Sequence, residues 1–184
     1  NLSMIKLLKE EKDYCLYKSS IITKHKKELI KVLDTVRPRV QNMFSNPDLT
    51  KLYYMYNTFN LTACDEYWYD LFTDLKKVIR TRLNTQGPLW FQCWVNYHQK
   101  NEVLNWHNHN WDYHGYISLF NTAKTKTEFK DYTIDNKDGQ IYIGPGYREH
   151  RVVTPKNFKG FRVTLGFDIV TKPTSPSNIS LIPI

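Results

Sequence analysis

The spacing of apolar residues changes near residue 88. Before that point they recur every third or fourth position, and after it every second position, the two periods of helix and strand. The stretch 20–33 carries Ile22, Leu29, Ile30 and Leu33 at helical spacing. Pro38 is expected to end any helix there, because proline lacks the amide hydrogen that a helix interior needs. The stretch 65–83 is the clearest helix: Trp68, Leu71, Phe72, Leu75, Val78, Ile79 and Leu83 share one face. Thr62 or Asp65 can cap its start, and Gly87-Pro88 stops it. Beyond Pro88, residues 89–97, 115–121, 127–134, 140–143, 151–153 and 161–170 read as short strands, with turn chemistry at 136–139 and 144–146. The tail from Lys172, with Pro173, Pro176 and Pro183, reads as extended and peripheral. Helices first and strands afterwards predict an α+β protein in which helices buttress a β-sandwich or jelly roll. One domain spans 1–184: residues 1–88 as mainly helical support, 89–170 as the β core and 171–184 as the tail.

Composition narrows the classes of function. The 184 residues suffice for one real core. They contain no run of about 18 apolar residues, so no membrane span or membrane partner is expected. Leu7-Leu8 runs at once into Lys9, Glu10, Glu11 and Lys12, which is not a secretory pattern. Cys15, Cys64 and Cys93 are few, odd in number and widely spaced, which argues against a disulfide framework and for a reducing, cytoplasmic compartment. Without a Cys-x-x-Cys pair, a thiolate zinc site is not expected. Asn60-Leu61-Thr62 and Asn178-Ile179-Ser180 fit the glycosylation pattern, a motif short enough to be common by chance. The net charge of +8 is compatible with nucleic acid, but the lysines are scattered and no basic block interleaves with aromatics, so nucleic acid is the less favoured partner. A dianionic small molecule would use the same field.

Five of the six histidines lie between positions 98 and 150, and three fall within 107–114. On an extended segment, His107 and His109 share one face and can grip one metal ion. His150, which follows the Gly144-Pro145-Gly146 turn, is the natural third ligand; the gap of 150 − 109 = 41 residues lets the chain cross a small barrel and return. Three protein ligands on one face leave open positions, as a catalytic metal needs. Asp112 is an alternative to His109, or a group orienting one of the rings, or a turn residue. His114 fits a pocket wall or an outer hydrogen-bonding partner, His98 is too far along the strand to ligate, and His25 sits on a helix among lysines, facing solvent. In 161–169 the odd positions are all apolar, which leaves Arg162, Thr164, Gly166 and Asp168 on the other face. Inside a barrel mouth that face becomes a polar pocket in which Arg162 and Thr164 can hold a carboxylate. Arg162 follows His150 by 162 − 150 = 12 residues, so a short hairpin can bring them together.

At this point the chain resembles a family. The stretch from Tyr97 to His109 resembles the opening motif of prolyl-hydroxylase-like 2-oxoglutarate/iron(II) oxygenases, in which a Tyr precedes a His-x-Asp by ten residues, as here (107 − 97 = 10). Residues 139–146 leading to His150 resemble the strand and turn before that family's distal His, and Arg162-Val163-Thr164 its Arg-x-Ser/Thr pair. The likeness covers 89–170 and implies a double-stranded β-helix, cupin-like, with helices on one side. It implies Fe(II) on His107, His109 and His150, 2-oxoglutarate held by Arg162 and Thr164 with help from Tyr97, and molecular oxygen as cosubstrate. Decarboxylation to succinate would be coupled to oxidation of a substrate, for which the likeness hints at a peptide or protein residue. The departure is His109, which stands where the family has Asp or Glu. It leaves open a cupin-like three-histidine dioxygenase that does not use 2-oxoglutarate, and a barrel kept as a binding module without the chemistry. Trp106, Trp111, Tyr113 and Tyr116 either line a substrate groove or fill the core.

Overall fold

Two antiparallel sheets face each other, and helices cover the outer surface of the larger one. The computed structural model describes residues 4–121, 124–172 and 180–184. In chain order the elements are β1 (Ile5–Glu10), β2 (Cys15–Ser19), α1 (Ser20–Phe44), α2 (Thr58–Thr62), α3 (Glu66–Leu83), β3 (Trp90–His98), β4 (Val103–His107), β5 (Tyr113–Phe120), β6 (Lys126–Phe129), β7 (Thr133–Asp135), β8 (Gln140–Pro145), β9 (His150–Val153), β10 (Arg162–Val170) and β11 (Ile182–Pro183). The large sheet has the order β1-β2-β8-β5-β10-β3-β11 and the small one β4-β9-β6-β7. From β3 to β10 the chain passes repeatedly from one sheet to the other. The quartet β8-β5-β10-β3 thereby lies opposite β7-β6-β9-β4, which is a double-stranded β-helix, or jelly roll.

The alternation along the strands of the large sheet builds two interiors. Phe91, Cys93 and Val95 of β3, Ile117 and Leu119 of β5, and Val163, Leu165, Phe167 and Ile169 of β10 face the helices. There they meet Ile22, Leu29 and Leu33 of α1, Phe59 of α2, and Trp68, Leu71, Leu75 and Ile79 of α3, all buried. Each such side chain contributes about 1.5–3 kcal/mol by leaving water. The opposite face of the same strands looks into the space between the sheets. One end of that space is filled by Tyr14, Leu16, Tyr116, Phe129, Ile134 and Tyr142. The other end is open, and the site lies there. Strand β10 is buried along both faces for this reason.

Several expectations need correction. Residues 5–19 are not helical support: β1 and β2 form a hairpin that extends the large sheet beyond β8. Pro38 does not end α1, which continues to Phe44. The hydrogen bond that Pro38 cannot donate would have gone to Asp34, and both residues are exposed, so the freed carbonyl faces water. The stretch 127–134 is two strands, β6 and β7, with a turn between them. Val103–His107, which was not singled out as a strand, is β4. Asp65 caps α3, its carboxylate accepting from the amides of Tyr67 and Trp68, and Asn84 ends that helix in a left-handed conformation. Of the tail, 173–179, with Pro173, Pro176 and Asn178, lies outside the described residues, and Ile182 and Pro183 pair with β3. No helix of the described residues is long and apolar enough to cross a membrane.

Candidate metal centre

A bulge aims the first ligand. Along β4, Leu104 pairs with Val152 and His107 with His150, so three steps on β4 match two on β9. The extra residue reverses the alternation. Leu104 and His107 consequently both line the cavity, whereas Trp106 turns to the outer surface between Lys130 and Arg151. His109 lies just past the strand, where its amide donates to the Gly146 carbonyl at 2.9 Å. His150 opens β9 directly opposite His107.

The three rings converge. Their centroids are 4.3 Å apart for His107–His150, 5.3 Å for His107–His109 and 5.4 Å for His109–His150. Each offers a ring nitrogen within 4.8 Å of the other two. In each ring the Nδ1–H is already committed. His107 donates to the Asn105 carbonyl at 2.7 Å, His150 to the Arg148 carbonyl at 3.1 Å, and His109 to Asp168 Oδ1 at 2.9 Å. Fixing the proton on Nδ1 leaves Nε2 as a bare lone pair, the tautomer a metal ligand requires. The Nε2 of His109 is buried and has no hydrogen-bond partner. An orphaned acceptor in the interior costs about 1–3 kcal/mol unless something fills it, and a divalent cation held by three imidazoles would do so. Burial lowers the pKa of His107, and burial together with the nearby His114 and His107 takes that of His150 to about 2. Both are therefore neutral and ready to ligate at neutral pH. Imidazole donors fit iron, zinc, copper or nickel, so the residues present accept Fe(II) without selecting it.

Behind the rings stands a second layer, in which the sequence pointed to His114 as an outer hydrogen-bonding partner but gave Asp168 and Gln92 no role. Asp168 Oδ1 accepts from His114 Nδ1 at 3.0 Å as well as from His109, and its Oδ2 accepts from Gln92 Nε2 at 2.8 Å. Burial pushes its pKa up, but the two imidazole hydrogen bonds outweigh that and hold the carboxyl well below the usual range. His114 is neutral, its pKa lowered to about 4 by burial and by His109. It is not a mere wall: its ring stacks on that of His109 at 3.7 Å.

The deeper end of the same cavity is cationic. The space has a volume of about 550 Å³ and is lined by His107, His109, His114, His150, Arg162, Thr164, Gly166 and Asp168, among others. Arg162 is 2% exposed and has no carboxylate partner among the described residues; Nη1 donates to His98 Nδ1 at 3.2 Å, and Nε–H is unpartnered. Burial lowers its pKa only to about 10, so it stays charged. The Ser118 hydroxyl, opposite Thr164 in the β5–β10 register, is also buried without a partner. A buried guanidinium without a carboxylate partner, on a strand that also turns the Thr164 hydroxyl into the cavity, is a receptor for an anion. His98, excluded as a metal ligand, instead orients this guanidinium, and burial lowers its pKa to about 4.

Of the readings open for Asp112, neither ligand nor ring-orienting group is seen: its carboxylate accepts from the amide and hydroxyl of Thr171 at 3.2 and 2.5 Å. Two expected placements do not hold. Tyr97 is not in the cavity. It sits opposite Val163 in the register, on the helix-facing side of β3, with Arg37 over its ring at 4.4 Å. Strand parity puts Gln92, Trp94, Asn96 and His98 in the cavity and excludes Tyr97. Arg162 and His150 meet across the two sheets, not through a hairpin. Of the aromatics, Trp111 and Tyr116 line the cavity and Tyr113 packs in the helix-facing core. His25 is half-buried, stacked on Tyr67 at 4.0 Å.

No protein-family model matches the chain, and no curated protein matches it. Among solved structures, an oxidoreductase of the 2OG-Fe(II) oxygenase family from Burkholderia pseudomallei is 12% identical over 60% of this chain and 54% of its own, with a TM-score of 0.45. This chain thus spans about half of that protein. A cupin-2 domain protein from Shewanella frigidimarina is 17% identical over 42% of this chain and 69% of its own, with a TM-score of 0.34. A cupin superfamily protein from Desulfitobacterium hafniense is 15% identical over 46% and 79%, with a TM-score of 0.36. The jelly-roll architecture rests on this chain's own strand order.

Proposed function

We propose that this protein is an Fe(II)- and 2-oxoglutarate-dependent oxygenase that couples decarboxylation of 2-oxoglutarate to oxidation of a second substrate. One observation carries the reading: three imidazoles with bare Nε2 atoms and an unpaired buried guanidinium occupy one cavity. The first group suits a metal with open positions, and the second suits the far carboxylate of a dianion. Bound Fe(II) would supply the capacity to bind the keto acid and oxygen. The chain's own residues do the rest. His107, His109 and His150 would hold the ion. Arg162 would take the distal carboxylate on its fork, with the Thr164 and Ser118 hydroxyls as donors beside it. Trp94, Leu104, Tyr116 and Val152 line the intervening wall and exclude water. Tyr53 and Tyr54, both exposed and packed edge to face, line the cavity together with Trp111, Asn108 and Asn110. There the oxidisable substrate, for which a peptide or protein residue is our proposal, would enter.

The test is anaerobic titration of the purified protein with Fe(II) and 2-oxoglutarate. A weak visible charge-transfer band is expected, absent in His107→Ala and in His150→Ala. Succinate production should fall at least tenfold in Arg162→Lys, which keeps the charge and loses the fork. The all-imidazole ligand set favours one rival, a three-histidine dioxygenase in which Arg162 holds a substrate carboxylate instead. Oxygen uptake indifferent to 2-oxoglutarate would establish that rival and remove the first reading.

A further inference from the structure

Asp168 is 1% exposed, and among the described residues no lysine or arginine pairs with it. Its hydrogen-bond donors are two imidazoles and one amide, none of them cationic while the rings are neutral. Three hydrogen bonds hold the carboxylate ionised, and its negative charge favours positive charge close by. The available place for that charge is the other side of the imidazole that Asp168 holds. His109 Nδ1 faces Asp168, and the same ring turns its orphaned Nε2 toward His107 and His150. The two clusters able to hold a metal, His107–His109–His150 and His109–His114–Asp168, share this one ring. In the second cluster the ring nitrogens and the carboxylate are already joined at 2.9 and 3.0 Å, which marks it as a hydrogen-bonded support and leaves the first for the ion.

We infer that Asp168 is a positioning residue which, through His109, supplies the negative charge that an all-imidazole metal centre lacks. The inference rests on the metal-centre reading above and deepens it. With a cation on Nε2, the Nδ1–H of His109 becomes more acidic and its bond to the carboxylate strengthens, so charge on the carboxylate is felt at the metal. Asp168 remains outside the coordination sphere, because Oδ1 serves two imidazoles and Oδ2 serves Gln92. His114 locks the geometry: it shares the same oxygen and lies within 14° of parallel to His109, which leaves that ring one orientation.

The experiment measures metal affinity and the stability of the metal-free chain separately. Full-length wild-type protein, Asp168→Asn and His109→Ala are titrated anaerobically with Fe(II), and with Co(II), against a competing chelator. Each metal-free protein is also melted. Asp168→Asn keeps the shape and an acceptor for His109 but removes the charge. Its metal affinity should fall about 10–100-fold, while the metal-free protein should still melt in one cooperative transition at a lower temperature, because the bonds that hold Asp168 ionised, and the acceptor for Gln92, are weakened. His109→Ala should fall further, and the wild type should hold one metal per chain. Affinity unchanged in Asp168→Asn, loss of the cooperative melting transition along with affinity in a protein that still folds, or two metals per wild-type chain would each overturn the inference. If wild type binds metal and Asp168→Asn binds it equally well, only the role of Asp168 fails. If wild type binds neither metal, the centre itself fails. Should Asp168→Asn not fold, wild type loaded with diamagnetic Zn(II) decides by its three exchangeable imidazole N–H resonances. The His109 proton, bonded to a carboxylate, should lie well downfield of those of His107 and His150, which are bonded to carbonyls; three like shifts would overturn the assignment.

Discussion

His98 is a neutral base placed beside a cation. Its Nδ1 lone pair accepts from Arg162, and protonation would set two positive charges against each other in the interior. Burial, and then the Arg162 charge, lowers its pKa from 6.5 to about 4. The unfolded chain therefore binds this proton first as pH falls. The stability contributed by His98 is fully present above pH 6.5 and is lost as the pH drops toward 4. The drop of about 2.5 units corresponds to at most about 3 kcal/mol. Urea unfolding of wild type and His98→Gln at pH 7 and pH 4 should show the shallower loss in the variant. His107, His114 and His150 titrate in the same direction in both proteins, so the difference isolates His98. Equal losses would show that His98 is not held neutral by Arg162. At this scale the sequence was informative where chemistry is local. His-x-His, the later His and an arginine on the polar face of a strand could all be read directly. Asp168 was placed on that face but given no role, because nothing in the order of residues says that β10 crosses directly behind His109. Tyr97 was misassigned for a related reason: a match in spacing ignores which face of a strand a residue occupies.

Among elements, the centre depends on two loops that grip each other. The amide of His109 donates to the Gly146 carbonyl at 2.9 Å, and the amide of Gly146 donates to the Asp112 carbonyl at 3.2 Å. A Cβ on Gly146 would collide with the Trp111 carbonyl, so the two backbones approach as only glycine allows. Gly146→Ala should therefore destabilise the fold by about 1–3 kcal/mol and, by moving the 109–112 loop, weaken Co(II) binding at least tenfold. A variant that melts and binds like wild type would show that the loops have room to part. Arg148, two residues before His150, bonds to Asp13 and Asp131 and so fastens the same turn to both neighbouring hairpins. Element type was legible wherever the hydrophobic period was long, as in α3 and β10. It failed at β1, an exposed, lysine-bearing edge strand, and at β2, which is short and covered on both faces, because neither shows an apolar alternation to detect. It failed again at Pro38, whose exposed surroundings let a helix survive a missing hydrogen bond.

For the whole molecule, the ligands and their supports belong to different sheets. His107 and His150 stand on the small sheet, whereas Asp168, His114 and Arg162 stand on the large, helix-braced one. A metal bound only by the folded chain stabilises it by about 2.7 kcal/mol at a hundredfold excess over the dissociation constant. Melting temperature should rise with Co(II) and fall back with chelator. Amide exchange should slow most in β4, β9 and 108–112, where the helices give no cover. Exchange slowed evenly over both sheets would show that the ion braces the molecule as a whole. The division of labour between sheets also sets an order in time. His150 leaves the ribosome well before Arg162 and Asp168, so a nascent chain owns every imidazole of the centre before it owns the charges that tame it. Placing those charges on the last long strand means that the cavity is closed on that side only when β10, the final long element, takes its place between β5 and β3.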